Sequence, residues 1–345
     1  MSRIQLRRAG WLLFLLLLLG VSVGLTTAKG TVVIPLRDIG SIFFSQLPFL
    51  SSNVDPRLEA IVLHIRLPRV LVAALVGGGL ALSGAVMQAL FRNGLADPGI
   101  LGVSSGGALG AVIALSFGFA SEHIFVLPGM AFLGSLAAVS LVYVLASQKG
   151  AIPLSALLLS GLAVSALLSA LTSLLLSLTR NLFLLRETLF WLMGGLDGRG
   201  WEHLRIIAIP VCLGSLLLLN LSRELNILIS SGEESARTLG IDTKRLTQIL
   251  LLLTSMITGV VVSVSGVIGF VGLVVPHVVR LLLGPDHRVL LYGSFLGGAI
   301  FLIWSDYLTR TLFPLEEIRL GVVTSFVGVP FFLYLLNRGR KTLSW

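Results

Sequence analysis

Residues 246–279 read LTQILLLLTSMITGVVVSVSGVIGFVGLVVPHVV, a run without Asp, Glu, Lys or Arg. A helix rises about 1.5 Å per residue and a bilayer core is about 30 Å thick, so this run is too long for one crossing. Gly266, Gly269, Gly272 and Pro276 interrupt its second half and divide it into a full span and a shorter one. Charge-free runs also occupy 9–28, 70–91, 98–121, 124–148, 150–179, 206–222, 289–305 and 320–337. Together they predict ten membrane-spanning helices. The expected fold is an all-α integral membrane protein, with residues 1–345 forming a single transmembrane domain.

Composition agrees. Of 345 residues, 55% are hydrophobic and 12% charged, and the mean hydropathy of +0.99 is far from that of a soluble domain. The net charge of +9 would point to nucleic acid in a soluble protein. Beside spans it reflects basic flanks, so the expected surroundings are membrane lipid and no nucleic acid. The sole cysteine, Cys212, lies within a run, which excludes an intrachain disulfide and a thiolate metal cluster. Arg7, Arg8, an apolar stretch and Thr26-Thr27-Ala28 also outline a cleavable secretory signal. The stretch from Trp11 to Leu25 outruns most signal cores, and it is read as the first crossing.

With the N-terminus inside, ten spans return the C-terminus to the same side. Fourteen of the 25 Lys and Arg residues then lie inside: Arg3, Arg7, Arg8, Arg92, Lys149, Arg223, Arg237, Lys244, Arg245, Arg280, Arg288, Arg338, Arg340 and Lys341. The inward bias fits cytoplasmic termini but is weak, and it leaves a basic surplus outside. Small residues at four-residue spacing, Gly77-Ala81-Ala85-Ala89 and Gly102-Gly106-Gly110, predict close helix contacts in lipid.

Absences narrow the mechanism. Ion-coupled carriers place ionisable groups within spans, whereas the nearest candidate, Asp306, follows the ninth span and is expected at the outer interface. No lysine sits in a phosphate-cradling G-x-x-x-x-G-K-[ST] loop, so the chain is expected to bind no nucleotide cofactor. The histidines His64, His123, His203, His277 and His287 are scattered without metal-ligand spacing. No catalytic residue and no metal site is expected, and any energy is delivered by a partner that docks.

The longest polar stretch on the inner side, 223–245, is the candidate docking segment. Its centre is Gly232-Glu233-Glu234-Ser235-Ala236-Arg237-Thr238-Leu239-Gly240. A Ser-Gly start and two glutamates suit a helix N-terminus, and Gly240 suits a left-handed stop. A short surface helix is predicted, with Ala236 and Leu239 available for a groove. The same residues also fit an ordinary solvated loop helix.

This segment resembles the coupling loop of the FecCD-type permeases, the ten-span membrane subunits of ABC importers for iron–siderophore complexes, haem and cobalamin. Further motifs carry the resemblance in order: Arg66-Leu67-Pro68-Arg69, Ser83-Gly84-Ala85-Val86-Met87-Gln88, and Asn93-Gly94-Leu95-Ala96-Asp97-Pro98-Gly99-Ile100-Leu101-Gly102. Then follow Gly269-Phe270-Val271-Gly272-Leu273-Val274-Val275-Pro276-His277 and Gly321-Val322-Val323-Thr324. The resemblance covers residues 60 to 338 and implies the type II importer bundle. It implies a homodimer in the bacterial inner membrane, two cytoplasmic ATPase subunits that use the ATP, and one periplasmic substrate-binding protein. Glu233, Glu234, Ser235, Ala236, Arg237, Leu239 and Gly240 would couple to the ATPase.

Arg66 and Arg69, three apart around Pro68, are expected to share one face at the external start of the second span. By resemblance they and Arg310 would form sockets for glutamates of the binding protein. Anchorage to lipid headgroups is the alternative. Asn93, Leu95, Leu154 and Ser155 fall by resemblance at a cytoplasmic gate. On the fifth span, Ser165, Ser169, Thr172 and Ser173 share a helical face suited to lining the translocation path, although such hydroxyls also tie helices together. The implied substrate is a bulky metal chelate, ferric siderophore first, with haem or cobalamin next. Some cobalamin members carry threonine where this chain has Leu154, which weighs against cobalamin. An ion-coupled carrier working alone is the contrasting reading.

Overall fold

A computed structural model describes residues 3–30, 34–45, 54–147, 153–312 and 318–339. Lys149, Arg340 and Lys341 of the charge tally, and parts of the 29–60 loop, lie outside the described residues. The described chain is helical, with no strand among the described residues. Backbone polar groups in lipid must be satisfied within the segment, and helices achieve this.

Helix α1 (Arg3–Ala28) is followed by α2 (Leu36–Ser45) and α3 (Pro56–Ala60). One π-helical turn, Ile61–Arg66, leads into α4 (Leu67–Leu90). Next come α5 (Val103–Ser116), α6 (Val126–Ala146), α7 (Leu154–Leu178), α8 (Leu182–Leu192) and α9 (Trp201–Asn220). The chain closes with α10 (Ser222–Thr238), α11 (Thr243–Ser265), α12 (Val271–Leu283), α13 (His287–Leu312) and α14 (Leu320–Gly339). Seven helices among the described residues are long and apolar enough to cross a membrane, and α5, α12 and α14 are shorter apolar helices, which brings the apolar set to ten. The 246–279 run divides at Gly266 and Gly269, whereas Gly272 and Pro276 lie within α12 and do not interrupt it. Helix α11 stops at Ser265, and the chain turns through Gly266 and Phe270, both at positive φ, before α12 begins.

Helix α4 is the axis of the bundle, packed by α9, α11, α12 and α13. The small-residue stripe on α4 meets α13 so closely that a Cβ at Gly77 would overlap the Gly298 carbonyl, and the stripe on α5 meets α6 in the same way at Gly106 and Gly134. Lipid tails are as apolar as leucine, so such backbone approach and dispersion hold the helices together where water cannot drive them. Helix α1 lies on the periphery, tied to α13 by an indole N–H bond from Trp304 to Ser22 Oγ at 3.0 Å.

Candidate functional site

The 223–245 segment folds as a helix broken in two. Gly232 adopts φ 79° and ψ 171° inside α10, conformations open to glycine, so the chain after it starts a new helical turn. Glu233 Oε1 accepts from Arg237 Nη2 at 2.6 Å and from Thr243 Oγ1 at 3.2 Å, which pins this turn to the start of α11. The turn ends as its glycine suggests: Gly240 has φ 84°, its N–H bonds Arg237 O at 2.9 Å, and Ile241 N–H bonds Ala236 O at 3.1 Å. That pattern satisfies two terminal carbonyls of the helix. Glu233, Glu234, Ser235, Arg237, Leu239 and Gly240 are exposed. Ala236 is the correction: it is fully buried against its own chain and offers nothing to a partner, while Leu239, 65% exposed, is the apolar surface on offer.

Beside this turn opens a cleft of about 700 Å³, lined by Arg92, Leu154, Ser155, Glu233, Arg237 and Gln248 among others. Leu154 and Ser155 are thus brought to the same cleft as the surface turn. Asn93 and Leu95 do not line it. They form a tight turn beyond α4, in which Asn93 Oδ1 accepts from Leu95 N–H at 2.9 Å, and Leu95 remains 46% exposed.

At the opposite end of the bundle the arginines are already engaged. Arg69 grips Asp306 through Nε at 3.0 Å and Nη2 at 2.8 Å, and reaches Asp197 at 3.0 Å through Nη1. Arg310 Nε lies 3.1 Å from Asp306 Oδ2. Arg66 is 5% exposed and donates to the carbonyls of Thr27 at 3.0 Å and Ala28 at 2.9 Å. The expectation that the two guanidinium groups share one face is corrected: the π-turn before α4 sends Arg66 to the end of α1, while Arg69 turns to α13. Asp306 is 1% exposed within α13. Buried charge requires such pairing, because desolvating an isolated carboxylate or guanidinium is prohibitive. The i,i+4 spacing of Asp306 and Arg310 is the sequence signal that marks the pair. Asp197, absent from the sequence candidates, also bonds Arg319 Nη1 at 2.7 Å, and Arg319 stacks over Phe190 at 3.7 Å. The loop before α9 thereby joins α4 to the start of α14.

The hydroxyl face of α7 is divided. Ser169 and Ser173 are exposed, Ser165 is half-buried against the turn at Gly102, and Thr172 is buried with its hydroxyl bonded to Leu168 O at 2.9 Å. Two of the four hydroxyls therefore face outward from this chain, and Thr172 serves its own helix.

The model of the FecCD transport family matches residues 13–338. The cobalamin import system permease protein of Halobacterium salinarum is 43% identical over 92% of this chain and 86% of its own length. The hemin transport system permease protein of Yersinia pestis is 41% identical over 89% of this chain and 92% of its own. A solved chain described as an inward-facing, metal-chelate type ABC transporter superposes with a TM-score of 0.84 at 34% identity, over 96% of this chain and 99% of that one.

Proposed function

Because this chain belongs to the FecCD transport family, and is thereby a multi-pass permease of the metal-chelate importer class rather than an enzyme, we propose that it carries a ferric siderophore across the bacterial inner membrane, with haem as the next candidate and cobalamin after it. Relatives of nearly equal identity are named for cobalamin and for hemin, so identity alone does not select the chelate. The departure at Leu154 weighs against cobalamin.

In this reading the chain works as a homodimer with two ATPase subunits below, one binding protein above, and both termini in the cytoplasm. The observation that carries it is the exposed turn Glu233–Gly240 standing beside the cleft that holds Leu154 and Ser155. A partner closing on Leu239, Glu234 and Arg237 would press on a turn already bonded to α11 through Thr243, the route by which nucleotide closure reaches the gate. Asn93, Leu95, Leu154 and Ser155 form that gate, and Ser165, Ser169 and Ser173 line the path, Ser169 and Ser173 by their exposed hydroxyls. Arg69 and Arg310 offer the binding protein a partly covered basic edge. The burial of Arg66 gives it a supporting role there.

Uptake into proteoliposomes, with ferric siderophore, haem and cobalamin side by side, tests the reading. Accumulation is expected only with ATPase and binding protein present, blocked by vanadate and indifferent to a proton ionophore. Accumulation by this chain alone, abolished by the ionophore, would establish a gradient-driven carrier instead.

A further inference from the structure

We propose that the chain holds one anionic phospholipid at the end of the bundle that carries the 223–245 segment, with the headgroup phosphate in a basic cavity and one acyl chain in an adjoining apolar groove. The cavity, about 590 Å³, lies between α1, α4, α10 and the α12–α13 turn. Arg8, Arg92, Arg280 and Arg288 line it, against one carboxylate among its lining residues, Asp286. That carboxylate is paired with Arg8 at 2.9 Å and also accepts from Asn226 Nδ2 at 2.8 Å. Arg92 is held instead by a neutral acceptor, Leu228 O at 3.3 Å, and Arg280 donates to Gln88 Oε1 at 3.0 Å. Arg92 and Arg288 thus leave the lining with positive charge beyond its one carboxylate, which Arg8 already takes.

The groove supplies a second, independent observation. It has about 310 Å³, and Trp11, Leu15, Val275, Val279, Leu282 and Phe301 are among its wholly apolar walls. Its mouth adjoins the cavity: Arg8 Nη2 lies over Gly284, and Trp11 is one helical turn beyond Arg8 on α1. From Leu283 to Val274 the groove descends roughly 14 Å along α12, close to the ~15 Å of one leaflet. Charge at the membrane border, an aromatic ring next and an apolar slot beneath reproduce the order of phosphate, glycerol and acyl chain. A soluble phosphate would fill the cavity and have no use for the groove. The site does not depend on the importer reading, and its readout involves neither substrate nor ATPase.

Native mass spectrometry of the purified chain, titrated with phosphatidylglycerol, phosphatidylcholine or inorganic phosphate, tests the proposal. One phosphatidylglycerol per chain is expected, at least tenfold tighter than phosphatidylcholine. Arg92→Gln with Arg288→Gln, both exposed residues, should weaken phosphatidylglycerol about thirtyfold, from about 1 kcal/mol per arginine near a membrane surface, and leave phosphatidylcholine unchanged. Arg288→Gln alone carries the same test at about fivefold. Leu282→Trp, which fills the groove, should weaken both lipids. Equal retention of the two lipids, or phosphatidylglycerol indifferent to the arginines, would overturn the proposal. So would inorganic phosphate that displaces phosphatidylglycerol while Leu282→Trp changes nothing, since that marks a soluble ligand.

Discussion

Replacing Asp306 by alanine removes the carboxylate on which two guanidinium groups converge. Asp306 is 1% exposed, and the side chains of Arg69 and Arg310 are only 15% and 14% exposed, so none of the three is rescued by water without opening the bundle. Arg69 retains Asp197 at 3.0 Å, whereas Arg310 is left with carbonyl contacts at 3.4 Å to Thr26 and residue 306. Breaking a buried ion pair by removing one partner costs about 3–5 kcal/mol. The reference is Glu233→Ala, which breaks an i,i+4 pair whose side chains are both 62% exposed and should cost under about 1 kcal/mol. Equilibrium unfolding in mixed micelles, followed by tryptophan fluorescence, measures both. Asp306→Ala combined with Arg310→Met should recover part of the loss, because the stranded charge is gone. If Asp306→Ala falls within about 1 kcal/mol of Glu233→Ala, the burial argument fails.

Other expectations follow from named contacts. Glu234→Arg with Arg237→Glu should abolish co-purification of the ATPase and leave the permease yield unchanged. Retained, stimulated ATPase would exclude this turn as the docking element. Arg66→Glu should prevent accumulation of folded protein altogether, since it sets a carboxylate against the Thr27 and Ala28 carbonyls; a folded variant defective only in binding-protein docking would restore a rim role. Asp286 lies outside the spans. Burial acts to raise its pKa, but hydrogen bonds from Asn226 and the Arg288 N–H, with the charges of Arg8 and Arg288, hold it below the ordinary carboxylate range. Its contribution should therefore be complete above about pH 4 and disappear as pH falls through the lowered value. Wild type and Asp286→Asn should differ in stability at pH 7 and converge in strong acid; a difference constant with pH would refute this.

The spans were legible because lipid forces every crossing to be long, apolar and helical, and the breaks at 266–270 and 240 because glycine marks a positive φ. Position in the bundle was not legible. The hydropathic windows of α1 and of the α3–α4 helix are equally apolar, yet 11% of the first and 83% of the second are buried. Lipid and protein neighbours are equally greasy, so composition does not rank them. The Arg69–Asp306 pair was hidden by a sequence separation of 237 residues. The Arg66–Arg69 spacing pointed to a shared face that holds for a regular α-helix, and the π-turn removes that premise. Ala236 illustrates a similar limit: its apolar character was plain, but whether its own chain or a partner covers it depends on how the turn is rolled against α11.

The ties that hold α1 have a consequence for how the protein is made. Arg8 pairs with Asp286, Ser22 with Trp304, and Thr26 with Arg310, so α1 finds these partners on α13 or in the turn before it, 278 to 284 residues later. At 5–20 residues per second, that interval is on the order of 15–55 s. During it α1 stands in the bilayer with Arg8 at the border, tied at its far end by Arg66 to the Thr27 and Ala28 carbonyls. A ribosome stalled before α13 would thus leave α1 held only at its Ala28 end, and completion of α13 is the event that locks the rest of that helix into the bundle.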